Sequence, residues 1–352
     1  MSLKPLDVLV VDDSPTVRGR IVDSLERSPG FRVAGEARDG DEAFELCQRL
    51  RPDVVTLDMM MQGGNGLDAT RRIMALCPTP ILIISASQER GELLKTLDAL
   101  AAGAVDVLEK PRPGDGDADW DESFLRRLRR VARVRVITHI AGLRERAERG
   151  ARAADPPLDA PHRGARLIAL GTSTGGPRAL AQILRRLGKL DCPVLVVLHL
   201  GEPFHLALPD WLSGQVPMTV AEARGGEDLG RCGGQVLFAP PDRHLVVRGQ
   251  RLVLDDGPER HSCRPSVDVL FESLAASAEP ERIVAGLLTG MGRDGATGLA
   301  ALRRAGAVTF VQDRATSTVF GMPAAALDLE AAEHTLPLPA IPGFLKEVCR
   351  EP

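Results

Sequence analysis

The sequence predicts an α/β protein built from two parallel-sheet modules joined by a linker. Three observations carry that expectation. Short apolar runs alternate with helical patterns over residues 6–112. A second alternation of the same kind starts near Arg166. Between them the composition changes to arginine-rich and then proline-rich sequence. The expected division is 1–122, a helical and flexible linker over 123–164, and 165–352.

The bulk composition narrows the class. The chain has 352 residues, enough for two cores, with 44% hydrophobic and 26% charged residues and a net charge of −4. That balance demands neither nucleic acid nor a membrane. No run approaches the ~18 apolar residues that span a bilayer, and Asp12-Asp13 interrupt the N-terminal region before any signal-like segment develops. There is no tyrosine, so no mechanism can use one. The six cysteines, Cys47, Cys77, Cys192, Cys232, Cys263 and Cys349, form no C-x-x-C pair. Their scatter points to reduced thiols in a cytoplasmic protein, not to a disulfide framework or a zinc motif.

In the first module the strands are expected at Val8–Val11, Phe31–Ala34 (the weakest), Val54–Leu57, Ile81–Ile84 and Val105–Leu108. Each clear strand runs into a polar residue. Asp12 and Asp13 follow the first, Asp58 the third and Ser85 the fourth. Lys110 lies just past the fifth. Ligands of open parallel sheets bind at the carboxyl ends of strands, so three carboxylates, a hydroxyl and an ammonium should share one crevice. Clustered carboxylates repel unless a hard cation neutralises them, which implies Mg²⁺. Such a crevice can accept a phosphoryl group on a carboxylate, with the lysine and hydroxyl binding its oxygens.

The linker begins with the arginine-rich stretch Phe124–Arg135, in which Leu125, Leu128 and Ala132 or Val131 share one side. R-E-R-A-E-R and A-D-P-P-L-D-A-P follow. No aromatic residues interleave the arginines, so a solvated basic helix docking on neighbouring domains is expected over a nucleic-acid surface.

The second module opens with the apolar run Arg166–Leu170, followed by G-T-S-T-G-G at Gly171–Gly176. Pro177 suits a first helical position. Leu180, Ile183, Leu184 and Leu187 recur at helical spacing until Gly188. Ser173 therefore sits on a strand-to-helix turn, where a hydrolase exposes its nucleophile beside helix N–H groups. A phosphate-cradling loop would instead want a lysine, or an acidic residue ending the next strand, and the sequence has neither. The next strand, Val194–Leu198, ends in His199, a candidate base; Asp294 follows the run Ile283–Leu288 and can orient it. His205, His244 and His261 compete with His199, and Asp242, Asp268 and Asp313 with Asp294. Backbone N–H groups near Thr174 and Met291 are candidate oxyanion donors. The chain order Ser…His…Asp differs from the Ser…Asp…His order of α/β-hydrolases.

Two family resemblances follow from these motifs. V-L-V-V-D-D-S, P-D-V-V-T-L-D-M-M-M, the Ile81–Ser85 run and A-G-A-V-D-V-L-E-K-P resemble the receiver domain of two-component response regulators over about the first 112 residues. That resemblance implies a flavodoxin-like sheet of order 2-1-3-4-5 and phosphorylation on Asp58. It also implies Mg²⁺ on Asp13 and Asp58 with Asp12 in support and the Met60 carbonyl completing the set, and phosphoryl binding and switching by Ser85 and Lys110. Gln62 and Val107 depart from the family pattern.

From about Arg166 to Leu336, I-A-L-G-T-S-T-G-G-P, V-L-V-V-L-H, R-P-S-V-D-V-L-F-E-S, L-L-T-G-M-G-R-D-G-A and Q-D-R-A-T-S-T-V-F-G-M-P resemble the catalytic domain of chemotaxis protein-glutamate methylesterases. The implied fold is doubly wound and mostly parallel. The implied chemistry is a Ser173, His199, Asp294 triad, without a metal, acting on γ-glutamyl methyl esters of chemoreceptors and also on receptor glutamines. A chemotaxis histidine kinase is the implied phosphodonor, and the receiver is expected to cover the esterase cleft until Asp58 is phosphorylated. A monomer is the default. Thr172, the residues flanking His199 (Leu198, Leu200 and Gly201), and Arg314 depart from the family pattern.

Overall fold

The computed structural model describes residues 4–61, 64–86, 89–111, 117–134, 136 and 164–350. The chain divides into two compact units, Met1–Ala153 and Ala154–Pro352.

The first unit has a five-stranded parallel sheet. Its strands are β1 (Leu6–Val11), β2 (Phe31–Ala37), β3 (Val54–Asp58), β4 (Ile81–Ser85) and β5 (Asp106–Glu109). Their order is 2-1-3-4-5, as the resemblance implied. Strands β3 and β4 are buried along their whole length. That burial explains the continuous Val/Ile/Leu runs, because helices cover both faces of a parallel sheet. After β3 the chain makes a two-residue hairpin, Met60–Met61 against Gly64–Asn65. It then enters the helix Gly66–Leu76. Only glycine fits at 66, since a Cβ there would lie 2.4 Å from the Asp58 carbonyl oxygen. Gln62 lies outside the described residues.

The helix Asp117–Val131 departs from the expected boundary, because residues 123–131 belong to it and pack within the first unit. Phe124 and Leu128 are fully buried, and the Trp120 and Phe124 rings stack at 5.0 Å. Trp120 Nε1 donates to the Glu109 carbonyl at 2.9 Å, and Arg127 reaches Asp106 at 3.1 Å. The reason is an apolar stripe (Trp120, Phe124, Leu128, Val131) at i, i+4, i+8, i+11, which begins before residue 123. Residues 135 and 137–163 of the expected linker lie outside the described residues.

The second unit has a seven-stranded sheet among the described residues, with every pairing parallel. Its strands are β6 (Leu167–Thr172), β7 (Val194–Leu198), β8 (Thr219–Glu222), β9 (Gln235–Phe238), β12 (Ile283–Leu287), β13 (Val308–Gln312) and β14 (His334–Leu336). Between β9 and β12, β10 (His244–Arg248) and β11 (Arg251–Asp255) form a separate antiparallel hairpin. The sheet order is β8-β9-β7-β6-β12-β13-β14. Strand β6 is thus flanked by β7 on one side and β12 on the other. That is the position at which an open sheet leaves a crevice beyond its carboxyl edge.

Candidate active site

In the first unit the strand ends converge as the alternating pattern implied. Asp12 and Asp58 are buried, and Lys110 Nζ lies 2.9 Å from Asp12 Oδ2 and 2.7 Å from Asp58 Oδ2. Burial pushes the Asp58 carboxyl up to about 6 against the pull of the Lys110 ammonium, and the neighbouring Asp12 adds to the rise. Burial disfavours the Lys110 ammonium, but Asp58 and Asp12 outweigh it and raise the amine above its ordinary value. The Met60 N–H donates to Asp58 Oδ1 at 3.2 Å, which holds the Met60 backbone against the carboxylate.

Asp12, Asp13 and Asp58 each offer an oxygen, and these oxygens lie within 4.8 Å of one another. Asp12 Oδ2 is buried and faces the Lys110 ammonium. Three clustered hard carboxylate oxygens are a donor set that fits a hard divalent cation such as Mg²⁺. Ser85 Oγ donates to Glu92 Oε1 at 2.5 Å, which ties the end of β4 to the helix Arg90–Ala102.

In the second unit three neighbouring strands carry the three residues. The ends of the strands are level, with Thr172 paired to Leu198 and Gly171 to Leu287. Ser173 follows β6 and His199 follows β7, and the His199 N–H donates to the Thr172 carbonyl at 3.0 Å. Ser173 is half-buried at the entrance to the helix Gly176–Leu187. Gly175 has φ +81°, and a Cβ there would lie 2.4 Å from Thr318 Oγ1, so the turn after the serine requires glycine.

His199 Nε2 donates to Asp294 Oδ2 at 2.9 Å. The nitrogen left free of Asp294 is therefore Nδ1, the reverse of the usual serine-protease orientation. Burial disfavours the imidazolium, but the Asp294 bond and the Cys263 contact outweigh it and raise His199 to about 9.

The Asp294 carboxylate is held on every side. Ser266 Oγ and the Asp268 N–H donate to Oδ1 at 2.7 and 3.1 Å, and the Val267 N–H donates to Oδ2 at 2.7 Å. These donors are the N-cap and first turn of the helix Val267–Ala275, whose N-terminus favours an anion. Burial raises the Asp294 carboxyl, but His199, Ser266 and the Val267 N–H hold it below the ordinary aspartate value.

The competing residues lie in other settings. Asp268 accepts from the Gly298 N–H at 2.6 Å and from His261 at 3.1 Å, which ties two helices together. Asp313 caps a turn through Thr316. Asp242 sits at φ +56° in a turn. His244 spans the Pro258 carbonyl and the Ser266 N–H. His205 is buried within the helix Phe204–Ser213.

Thr174 and Met291 flank the serine. Gly290, which precedes Met291, is so close that a Cβ on it would lie 3.0 Å from Ser173 Cβ. The Thr174 carbonyl accepts from Thr289 Oγ1 at 2.9 Å, and that hydroxyl accepts from the Val319 N–H at 2.9 Å. Gln312 Oε1 accepts from the Thr289 N–H at 2.9 Å.

The sequence alone does not single out Ser266, Thr289, Gln312 and Cys263 as parts of this site. Ser266 had a legible signal, a serine N-cap before V-D-V-L-F. Cys263 had none, because its neighbour His199 is 64 residues away.

Comparison with known proteins gives the same two modules. Residues 168–345 match the family model described as CheB methylesterase, and residues 8–115 match that of the response regulator receiver domain. A protein-glutamate methylesterase/protein-glutamine glutaminase 2 of Anaeromyxobacter dehalogenans is 42% identical over 350 residues, covering 99% of this chain and 98% of that one. A protein-glutamate methylesterase/protein-glutamine glutaminase 3 of Hahella chejuensis is 40% identical over 349 residues, covering 97% and 98%. The crystal structure of the Thermotoga maritima CheB methylesterase catalytic domain is 31% identical, with a TM-score of 0.48 over 52% of this chain and 97% of that one. On the family models and the full-length relatives, the chain belongs to the CheB methylesterase family and carries a response-regulator receiver domain ahead of the methylesterase domain.

Proposed function

We propose that this protein is a phosphorylation-regulated serine hydrolase that removes methyl groups from glutamyl esters of methyl-accepting chemoreceptors and releases methanol. The observation that carries the chemistry is the His199 Nε2–Asp294 hydrogen bond at the carboxyl edge that also bears Ser173. The names of the relatives support the substrate class and favour a second activity, deamidation of receptor glutamine. Ester and amide hydrolysis share the same acyl-enzyme route.

In this reading His199 Nδ1 takes the Ser173 proton as Oγ attacks the ester carbonyl. The N–H groups of Thr174 and Met291 receive the oxyanion. Methanol leaves with the proton from Nδ1. Water then attacks the acyl-enzyme, His199 again acts as the base, and the receptor glutamate and free Ser173 are restored.

In the receiver, Asp58 accepts the phosphoryl group from a chemotaxis histidine kinase. Asp13, Asp58 and the Met60 carbonyl would hold Mg²⁺, with Asp12 in support. The cation offsets charge on the phosphoryl oxygens. Lys110 binds one of those oxygens, and Ser85 binds another on leaving Glu92, which couples the phosphate to the helix Arg90–Ala102. Phosphorylation then shifts the protein toward an accessible esterase cleft. The protein works as a monomer in the cytoplasm. No helix among the described residues is long and apolar enough to cross a membrane.

The test is Ser173→Ala. Methanol release from methylated receptor should vanish while phosphorylation of Asp58 by a small phosphodonor persists. Surviving esterase activity would refute the assignment.

A further inference from the structure

Cys263 Sγ lies 3.8 Å from His199 Nδ1, and both residues are only partly buried. The far nitrogen, Nε2, is committed to Asp294, which is itself fixed by Ser266, Val267 and Asp268. That arrangement leaves the Nδ1 lone pair unprotonated in the neutral ring and open toward the sulfur. One ligand atom from each of His199, Cys263 and Asp294 falls within a 4.8 Å cluster.

We propose that Cys263 and His199 form a binding site for a thiophilic divalent cation of the Zn²⁺ class, and that filling it switches the hydrolase off. The geometry suits such an ion. With Zn–S and Zn–N bonds of about 2.3 and about 2.05 Å, the 3.8 Å separation subtends about 120° at the metal, near the tetrahedral angle. Thiolate and imidazole are the ligand types that select zinc over magnesium or calcium. A metal-binding histidine characteristically donates its other N–H to a carboxylate, which fixes the ring and strengthens the ligand nitrogen. Asp294 already holds that position.

Binding is a simple exchange. The Cys263 thiol gives its proton to solvent, sulfur and Nδ1 each donate an electron pair to the cation, and nothing is oxidised or reduced. Water fills the remaining positions. With its lone pair engaged, Nδ1 cannot accept the Ser173 proton, and a chelator reverses the block. The scatter of cysteines along the chain excludes a zinc motif by spacing; here the fold brings one thiol to the imidazole instead.

The inhibitory consequence rests on the methylesterase reading, whereas binding does not, and the experiment separates them. The chelator-treated full-length protein is titrated with Co²⁺. A thiolate-to-cobalt charge-transfer band is expected, and the carboxylates of the receiver cannot produce one. The band should be lost in Cys263→Ala and in His199→Gln, each shown to be folded by far-UV circular dichroism, and kept in Cys232→Ala. Zn²⁺ should inhibit methanol release by the wild type at a concentration at least tenfold below that needed for Cys263→Ala. Retention of the band in Cys263→Ala or His199→Gln, or an unchanged inhibitory concentration in Cys263→Ala, would overturn the proposal.

Discussion

Asp294→Asn gives the most direct test of how the site works. The carboxylate accepts four hydrogen bonds, from Ser266 Oγ, the Asp268 N–H, the Val267 N–H and His199 Nε2. An amide has the same shape but only one acceptor oxygen. If that oxygen faces His199 and Val267, the NH₂ group opposes the Asp268 N–H and leaves it unsatisfied. If it faces Ser266 and Asp268, the NH₂ group meets the Val267 N–H and forces His199 to protonate on Nδ1, which removes the base. Either arrangement costs about 1–3 kcal/mol of stability for the buried unpaired donor. Either one removes the negative charge that, in the proposed mechanism, stabilises the imidazolium formed during attack. Losing charge and tautomer together lowers kcat by about 10³–10⁴, or roughly 4–5.5 kcal/mol of barrier. The assay is methanol release from methylated receptor fragments across pH, alongside thermal melting. The value near 9 for His199 should fall, because the Asp294 bond is the chief influence raising it. Activity within tenfold of wild type, with an unmoved acidic limb, would refute the reasoning.

Three further outcomes are expected. His199 titrates at about 9 against an ordinary 6.5, so it adds stability that is complete below pH 6.5 and lost as the pH rises through 9. The free base appears over the same rise, so in chelator-treated protein kcat/KM should climb while the melting temperature falls; a flat rate profile would exclude His199 as the base. Asp58→Asn should abolish phosphorylation by a small phosphodonor and any activation of methanol release by that donor, with Ser173 chemistry intact; a donor response that persists would remove Asp58 from the switch. Phe124→Ala should destabilise the first unit by about 3–5 kcal/mol, as expected for a fully buried ring; a change below about 1 kcal/mol in chemical denaturation would return residues 123–131 to the linker.

Much of this architecture is legible locally. The Val54–Leu57 and Val194–Leu198 runs announce strands because buried parallel strands need apolar residues on both faces. Asp58 and His199 are legible because the residue after such a run lands on the carboxyl edge. The helix Asp117–Val131 is less so, because its arginines suggest a solvated helix and its buried stripe starts at Trp120. The hairpin β10–β11 carries its signal in H-L-V-V-R-G-Q-R-L-V-L-D, two five-residue strands around a Gly-Gln turn. It is easily passed over in a chain that otherwise alternates strand and helix.

The sequence by itself determined which residue types stand at which strand ends, and their order along the chain. That was enough to expect the two modules, the acidic crevice and the Ser173, His199, Asp294 set. Tertiary structure alone decided which imidazole nitrogen is free, because that depends on the side from which Asp294 approaches the ring. It also decided that Ser266 and the N-terminus of the helix Val267–Ala275 anchor the carboxylate, and that Cys263 faces His199 Nδ1. These contacts join residues 26 to 95 positions apart. No local periodicity or propensity records such pairings; they arise only when the sheet closes and its loops meet above the same edge.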